Sequence, residues 1–271
     1  MNPMSFLEQI VAAKQAEIAA ARALKPQAEV ERLAAKREDF RGFAESLARP
    51  GVRVIAEIKR ASPSLGDIRP DLHPGDLALA YQNGGAAALS VLTEPTFFKG
   101  SAKDLKRARE FSELPILRKD FILDPYQVYE TAAMGADAML VIVRILDDET
   151  LQSLLALALG VGLETLVEIH DEADARRLAG LAVPVVGINN RDLAHFHTDS
   201  DRAARIAALL PRGTAVVAAS GIRDETDIRR SLSSGIRRFL IGESLVRLPD
   251  PTPLLRQWTS LPVPPILNSD S

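Results

Sequence analysis

From residue 52 onward the chain alternates between short apolar runs, rich in β-branched residues, and longer amphipathic stretches. The runs cover residues 52–58, 87–92, 115–117, 138–143, 165–169, 183–188, 215–218 and 238–241. Between them, residues 76–82, 101–111, 125–134, 147–159, 171–178, 201–210 and 226–233 read as helices, most with glycine at an end, as at Gly84, Gly135, Gly160, Gly180 and Gly235. A strand that is apolar at almost every position is buried on both faces, as a parallel strand between helices is. Eight such units in about 200 residues predict the α/β class and a (β/α)8 TIM barrel. A doubly wound open sheet is the alternative, but it would carry a glycine-rich loop after its first strand. The first run, Val54-Ile55-Ala56-Glu57-Ile58-Lys59-Arg60, is followed by no such loop.

Residues 1–50 follow a different pattern. Phe6, Ile10, Ala13, Glu17 and Ile18 recur at helical spacing, Pro26 interrupts, and a second helix is expected from about residue 29 to 47. Ala48-Arg49-Pro50-Gly51 marks the break. We therefore expect an N-terminal helical extension (1–50), a barrel (51–261) and a frayed Pro- and Ser-containing tail (262–271), within one structural domain overall. By composition alone the extension is either a packing helix pair or a dimerisation arm.

Composition narrows the function classes. The 271 residues carry 33 Lys and Arg against 36 Asp and Glu, a net charge of −3, which lacks the basic surface of a general nucleic-acid binder. Cysteine is absent, so disulfides, thiolate chemistry and cysteine-ligated metals are excluded, in keeping with a reducing cytoplasm. The N-terminal segment lacks the unbroken apolar core of a signal peptide, and no window approaches the ~18 apolar residues of a membrane span. The expectation is a soluble, cytoplasmic protein with no membrane partner.

In a barrel of this kind the active site forms at the C-terminal ends of the strands. There the runs deliver Glu57 and Lys59, then Arg118-Lys119-Asp120, Glu168, Asn189-Asn190-Arg191-Asp192, Ser220-Gly221 and Gly242-Glu243-Ser244. Glu57 and Lys59 are two apart, so on a strand they share a face. Glu57 and Glu168 are acids within apolar strands, and a buried charge needs a partner or a shifted pKa. An internal Glu–Lys pair that merely fills the barrel is the structural alternative. Three strands each bringing an ionisable group to one rim favour chemistry. Gly221 and Gly242, where strands turn into helices, suit close approach of an anion, though both would also serve tight turns.

Other residues offer less. His73, His170, His195 and His197 have no spacing that suits a metal, and surface or capping roles are expected for them. Asp147-Asp148-Glu149 should begin a helix, and Lys103, Lys106, Arg107 and Arg109 should form a solvated helix face.

Taken in order, these segments resemble the indole-3-glycerol-phosphate synthase family. The resemblance is carried by Ile55-Ala56-Glu57-Ile58-Lys59-Arg60-Ala61-Ser62-Pro63-Ser64, Ser90-Val91-Leu92-Thr93-Glu94-Pro95 and Leu117-Arg118-Lys119-Asp120-Phe121-Ile122 with Asp124-Pro125-Tyr126. It continues through Leu166-Val167-Glu168-Ile169-His170, Gly187-Ile188-Asn189-Asn190-Arg191-Asp192-Leu193, Ala219-Ser220-Gly221-Ile222 and Ile241-Gly242-Glu243-Ser244-Leu245. Ile10, Lys14 and Glu17 fit as well. The resemblance implies a lyase of tryptophan biosynthesis that needs no cofactor and no metal. Such an enzyme closes 1-(2-carboxyphenylamino)-1-deoxyribulose 5-phosphate to indole-3-glycerol phosphate, losing CO2 and water. It also implies that the extension lies over the barrel mouth, and that a stand-alone member is a monomer.

By the same resemblance Lys119 is the candidate general acid, and Lys59 holds the substrate carboxylate or also takes part in acid catalysis at dehydration, the division of the acid steps between the two lysines staying open. Glu168 is a base or stabilises the cationic intermediate, Glu57 shuttles a proton or orients the lysines, and Asn189 positions the substrate. Ser220 completes the catalytic set. Phosphate falls to Gly221, Gly242 and Glu243 with Ser62 and Arg191, and the aryl ring to Phe121 and Leu140. Two positions depart from the family pattern. Ala219 stands where a glutamate is usual, and Leu65 where many relatives carry lysine or another residue. A phosphoribosylanthranilate isomerase, which relies on a cysteine, is excluded. A non-catalytic barrel that binds a phosphorylated ligand, or a partner subunit, is the reading that Ala219 favours.

Overall fold

The computed structural model describes residues 6–189, 205–207, 209–210 and 213–264. Within them eight parallel strands close into a barrel. In chain order these are β1 (Arg53–Ile58), β2 (Ala88–Leu92), β3 (Ile116–Lys119), β4 (Ala138–Ile142), β5 (Glu164–Ile169), β6 (Val185–Ile188), β7 (Ala215–Ala218) and β8 (Arg238–Ile241). Each pairs with its sequence neighbours, and β8 closes onto β1 with Arg53 opposite Arg238 and Ala56 opposite Ile241. Helices such as Pro74–Asn83, Ala102–Phe111, Pro125–Met134, Asp148–Gly160 and Glu225–Ser233 follow the strands. The expected (β/α)8 barrel is what forms.

Strand residues divide by parity. Val54, Ala56, Ile58, Leu89, Val91, Met139, Val141, Val167 and Ile169 face outward into one core with the surrounding helices. Ile55, Ala88, Leu117, Leu140, Leu166, Val185, Val217 and Leu240 fill the inside of the barrel. Helix starts follow side-chain logic. Ser101, Asp124, Asp147, Asp171 and Asp224 each accept a hydrogen bond from a backbone N–H of the first turn that follows.

The strand ends correct the apolar reading at one informative place. β3 runs to Lys119, two residues past the last apolar position, because Arg118 is buried and ion-paired rather than exposed. Its guanidinium meets Asp120 at 3.0 Å and Glu130 at 2.8 Å.

The helix expected at 29–47 is two helices. α1 (Phe6–Leu24) is followed by α2 (Gln27–Ala34) and α3 (Phe43–Ala48), with a non-helical stretch at 35–42. That stretch is spent on side-chain contacts that a continuous helix would misdirect. Arg37 donates to the carbonyl of Ala136 at 2.5 Å and to Asp137 at 2.6 Å, and Arg41 donates to the carbonyls of Ser112 and Leu114. Arg109, expected to be solvated, joins this cluster through Asp137 and Asp39. Asp137 is fully buried just before β4, so several donors converge on one carboxylate at the N-terminal end of the barrel.

The extension therefore spans the molecule instead of resting only on the mouth. α1 meets the mouth rim, where Lys14 pairs with Asp120 at 2.7 Å, Arg22 pairs with Asp124 at 2.5 Å, and Phe6 packs edge-on against Phe97. α2 packs on helix Pro125–Met134. α3 then plugs the opposite end. Phe43 and Leu47 enter the interior core, the Ala44 N–H donates to Glu164, and Arg53 and Arg238 donate to the carbonyls of Ser46 and Leu47.

Candidate active site

The parity that puts Ile55 and Leu166 inside the barrel carries inward pointing on to Glu57 and Glu168, two residues further toward the mouth. Glu57 stands opposite Ser90 in register, and Glu168 lies between Ile142 and Gly187. Both carboxylates are nearly fully buried, and both have cations. Lys59 Nζ lies 2.7 Å from Glu57 Oε1, and Lys119 Nζ lies 3.7 Å from Glu168 Oε2. Asn189 donates to Glu168 Oε1 at 3.1 Å. Five of the expected residues thus gather into two acid–base groups at the C-terminal ends of β1, β3, β5 and β6.

The surroundings stiffen both groups. Tyr81, wholly buried beneath β1, donates its hydroxyl to the Glu57 carbonyl at 3.1 Å; burial, reinforced by the Glu57 charge, pushes its phenol well up. Asp120, next to Lys119, accepts from Thr93 at 2.5 Å as well as pairing with Lys14 and Arg118. Burial opposes its ionisation, yet Arg118 and Lys14 together hold its carboxyl below the usual carboxylate range. Lys119 therefore leaves a strand end whose two flanking residues are both locked into buried ion pairs.

Gly242 explains itself by space. A Cβ there would fall 2.5 Å from Glu57 Oε1 and 3.1 Å from Lys59 Nζ, so a side chain at this position would collide with the pair. Gly242 precedes the short helix Glu243–Val246, and the Ser244 hydroxyl donates to the Arg223 carbonyl at 3.0 Å, tying the β8 turn to the loop after β7. In that loop Gly221 has φ of 83°, in the left-handed region. The Ser220 Oγ beside it is buried with no hydrogen-bond partner among the described residues. Ser62 is buried in a small hairpin (Ala61–Ser62 with Gly66–Asp67) directly after β1, its hydroxyl 3.4 Å from that of Ser64. Glu243 pairs with Arg247 at 3.1 Å.

Phe121 is half-buried after β3, its ring 6.3 Å from that of Phe98. Leu140 lies inside the barrel. Arg191, together with Asn190, Asp192, His195 and His197, lies outside the described residues, as do 201–204, 208 and the tail from 265. Among the described residues no group of three or more His, Asp or Glu side chains is set to hold a metal ion, and no helix is long and apolar enough to cross a membrane.

Some participants were missed in the sequence. Glu94, buried, accepts from the backbone N–H groups of Thr96, Phe97 and Phe98 and so shapes the loop that carries the two aromatic rings. Its only sequence signal was an acid directly before Pro95. His170, expected at the surface or in a cap, is largely buried, with Nε2 3.7 Å from Glu168 Oε1. Chemically, the mouth pairs two lysines with two buried carboxylates. That arrangement can deliver a proton to one atom and remove it from another.

Comparison with known proteins points the same way. A family model described as indole-3-glycerol phosphate synthase matches residues 7–258. An indole-3-glycerol phosphate synthase of Desulfosudis oleivorans is 51% identical over 256 residues, covering 93% of this chain and 97% of that protein. One from Aromatoleum aromaticum is 44% identical over 255 residues, with coverages of 93% and 97%. Among solved structures, 3-hexulose-6-phosphate synthase from Salmonella typhimurium aligns with a TM-score of 0.60 at 15% identity, covering 76% of this chain and 96% of that one; this likeness speaks to the barrel alone.

Proposed function

The chain belongs to the indole-3-glycerol phosphate synthase family, and from that membership and the two acid–base groups at the barrel mouth we infer how it divides the work of its reaction. The enzyme is a carboxy-lyase of tryptophan biosynthesis acting on a phosphorylated small molecule. Three chemical events are needed: attack of the aryl carbon on the ketone, loss of CO2, and loss of water.

The ketone becomes electrophilic when its oxygen gains a proton or a strong hydrogen bond. Two lysines are candidates, and their pairing separates them. Lys59 is held at 2.7 Å by Glu57, whereas Lys119 reaches Glu168 only at 3.7 Å. The closer contact fixes Lys59 in place, while Lys119 is less tightly held and freer to reach the substrate. Lys119 is therefore the general acid at the ketone oxygen. Lys59 is the fixed cation that holds the anthranilate carboxylate until CO2 leaves, with Glu57 orienting it. This difference in pairing is the observation that carries the assignment.

Ring closure leaves a cation on the former aryl ring; in dehydration the hydroxyl formed from the ketone oxygen takes a proton from a mouth lysine and leaves as water, and a ring proton must depart. Glu168, beside Lys119 and fixed by Asn189, stabilises the cation and accepts the ring proton. The phosphate is assigned to the backbone of Ser220-Gly221 and Gly242-Glu243 with Ser62 and Arg191, and the unpartnered Ser220 hydroxyl supports that end of the site. Phe121 and Leu140 receive the aryl ring. Excluding water there strengthens each charge contact.

The same reading gives a cytoplasmic monomer with no nucleic-acid partner, which size-exclusion chromatography with light scattering tests for the assembly. The chemistry is tested by mixing purified protein with 1-(2-carboxyphenylamino)-1-deoxyribulose 5-phosphate and following indole fluorescence. Lys119→Ala should lower kcat by roughly 10²–10⁴, the range of a lost general acid, while substrate still binds. Lys59→Ala should raise KM as well. Equal effects of the two variants on both constants would overturn the division of labour.

A further inference from the structure

The segment between β2 and helix Ala102–Phe111 is neither strand nor helix, yet one side chain organises it. Glu94 is buried, and both of its carboxyl oxygens are spent on main-chain donors. Oε1 accepts from the Thr96 N–H at 2.9 Å, and Oε2 accepts from those of Phe97 and Phe98 at 2.7 and 2.9 Å. Pro95 has no N–H to offer, so the first donor is the residue after it. The Glu94 carbonyl meanwhile accepts from the Gly100 N–H at 2.8 Å and closes the loop. At the closure Lys99 has φ of 54°, in the left-handed region, and a Cβ on Gly100 would collide with the Leu92 carbonyl. A residue other than glycine stays in that region only where its surroundings hold it there.

The loop presents two rings. Phe97 packs edge-on against Phe6 of α1 with centroids 5.3 Å apart, and Phe98 lies 6.3 Å from Phe121, within the range of ring–ring contact. Phe121 has its own fixed base. Its N–H donates to Asp120 Oδ1 at 2.8 Å, and Asp120 Oδ2 accepts from the hydroxyl of Thr93, the residue before Glu94. The Thr93 N–H donates to the Lys119 carbonyl at 3.2 Å. Both rings therefore hang from one root at the end of β3, Phe121 through Asp120 and Phe98 through Thr93 and Glu94.

We propose that Glu94 is a positioning residue for the aryl subsite, holding the Phe98 ring against Phe121 so that Phe121 keeps one place at the mouth. Two of the three bonds that the carboxyl accepts come from the ring-bearing residues themselves, which separates this role from general support of the barrel. Without the carboxyl those N–H groups turn to water, which the exposed Pro95 and Thr96 already meet. The loop then loosens while the strands keep their ladder, and Phe121 loses the ring behind it. The cost falls on the fit of the substrate's ring and not on the lysine–carboxylate pairs.

The inference rests on Phe121 receiving the aryl ring, and the experiment separates the two ideas. KM and kcat for 1-(2-carboxyphenylamino)-1-deoxyribulose 5-phosphate are measured, together with Tm, for wild type, Phe121→Ala, Phe98→Ala, Glu94→Ala and the double variant Glu94→Ala/Phe98→Ala. Glu94→Ala should raise KM about tenfold with kcat changed by less than about threefold, the pattern of lost binding that ground state and transition state share. In the double variant the loss should stay within about twofold of that in Phe98→Ala, because the carboxyl acts through that ring. Glu94→Gln keeps one accepting oxygen and should fall between Glu94→Ala and wild type. A Glu94→Ala protein with a lowered Tm and a wild-type KM overturns the inference, as does a double variant whose loss is the product of the two single losses. If Glu94→Ala does not fold, the same cycle built on Glu94→Gln decides by the same criteria. A wild-type KM in Phe121→Ala would bring down the aryl assignment and this inference with it. A raised KM there beside an unchanged KM in Glu94→Ala would bring down this inference alone.

Discussion

Gly242 and Glu57 compete for one volume: a Cβ on the glycine would lie 2.5 Å from the carboxylate oxygen that pairs with Lys59. The glycine's φ of −121° is open to any residue, so what excludes a side chain is the Glu57–Lys59 pair and not the backbone. Gly242→Ala should therefore fold normally, because the far end of a side chain can give way, while Glu57 swings off Lys59. We expect kcat to fall about 10²-fold, the scale of a 1 Å misplacement, with little change in Tm. A variant with full activity would show that the Glu57–Lys59 spacing does not matter to turnover.

Ala219 tests the opposite case, a site residue that the family usually supplies and this chain does not. It follows β7 and hydrogen-bonds through its N–H to the Ile188 carbonyl, with its methyl 3.4 Å from where a Cβ on Gly187 would stand. With Glu57, Lys59, Lys119, Glu168 and Asn189 all in place, Ala219→Glu should change kcat by less than about tenfold, or roughly 1.4 kcal/mol of barrier. A larger gain, measured by indole fluorescence, would mean that the missing carboxylate limits the enzyme.

The parts of this fold that were legible in the sequence share one cause. β7 and β8 were read to the residue because their apolar runs coincide with their hydrogen-bonded length. β3 was cut short at Leu117 because burial of Arg118 and Asp120 depends on partners from Glu130, Thr93 and Lys14, none of which is nearby on the strand. The break at 35–42 was hidden for the same reason. Arg37 and Arg41 look like surface positions until Asp137 and the carbonyls near it are brought close in space. At the mouth, Glu57, Lys59, Lys119 and Glu168 stood out as charges within apolar strands. Glu94 did not, since its meaning lies in the backbone N–H groups of the loop that follows it.

Asp120 makes a prediction about acid. Because its carboxyl is held below the ordinary range, it contributes stability that is complete above the unfolded value near 3.9 and is lost as pH falls through the lower folded value. Glu17, the other carboxylate on Lys14, moves the opposite way, since burial is the largest influence on it and pushes its carboxyl up. Asp120→Asn leaves Arg118 and Lys14 buried without their shared anion and should cost about 3–5 kcal/mol at pH 7 in urea unfolding. Its stability should also fall less steeply than wild type on acidification below about pH 4, because one linked proton is gone. Parallel pH dependences in the two proteins would contradict this role.

Phe43 separates stability from chemistry. It is fully buried and, with Leu47, fills the N-terminal end of the barrel, the opposite end from Lys119 and Glu168. Truncation there removes a large apolar side chain from a space closed by α3 above Ile55, Leu117 and Leu166, and the short helix has only a few polar tethers with which to settle into the gap. Phe43→Ala should cost about 3–5 kcal/mol in denaturant unfolding. At a temperature where the variant remains folded, its kcat and KM should match wild type, since no charged pair at the mouth touches the plug. If kcat fell in proportion to stability, the two ends of the barrel would be coupled, and the extension would be acting on catalysis through its plug.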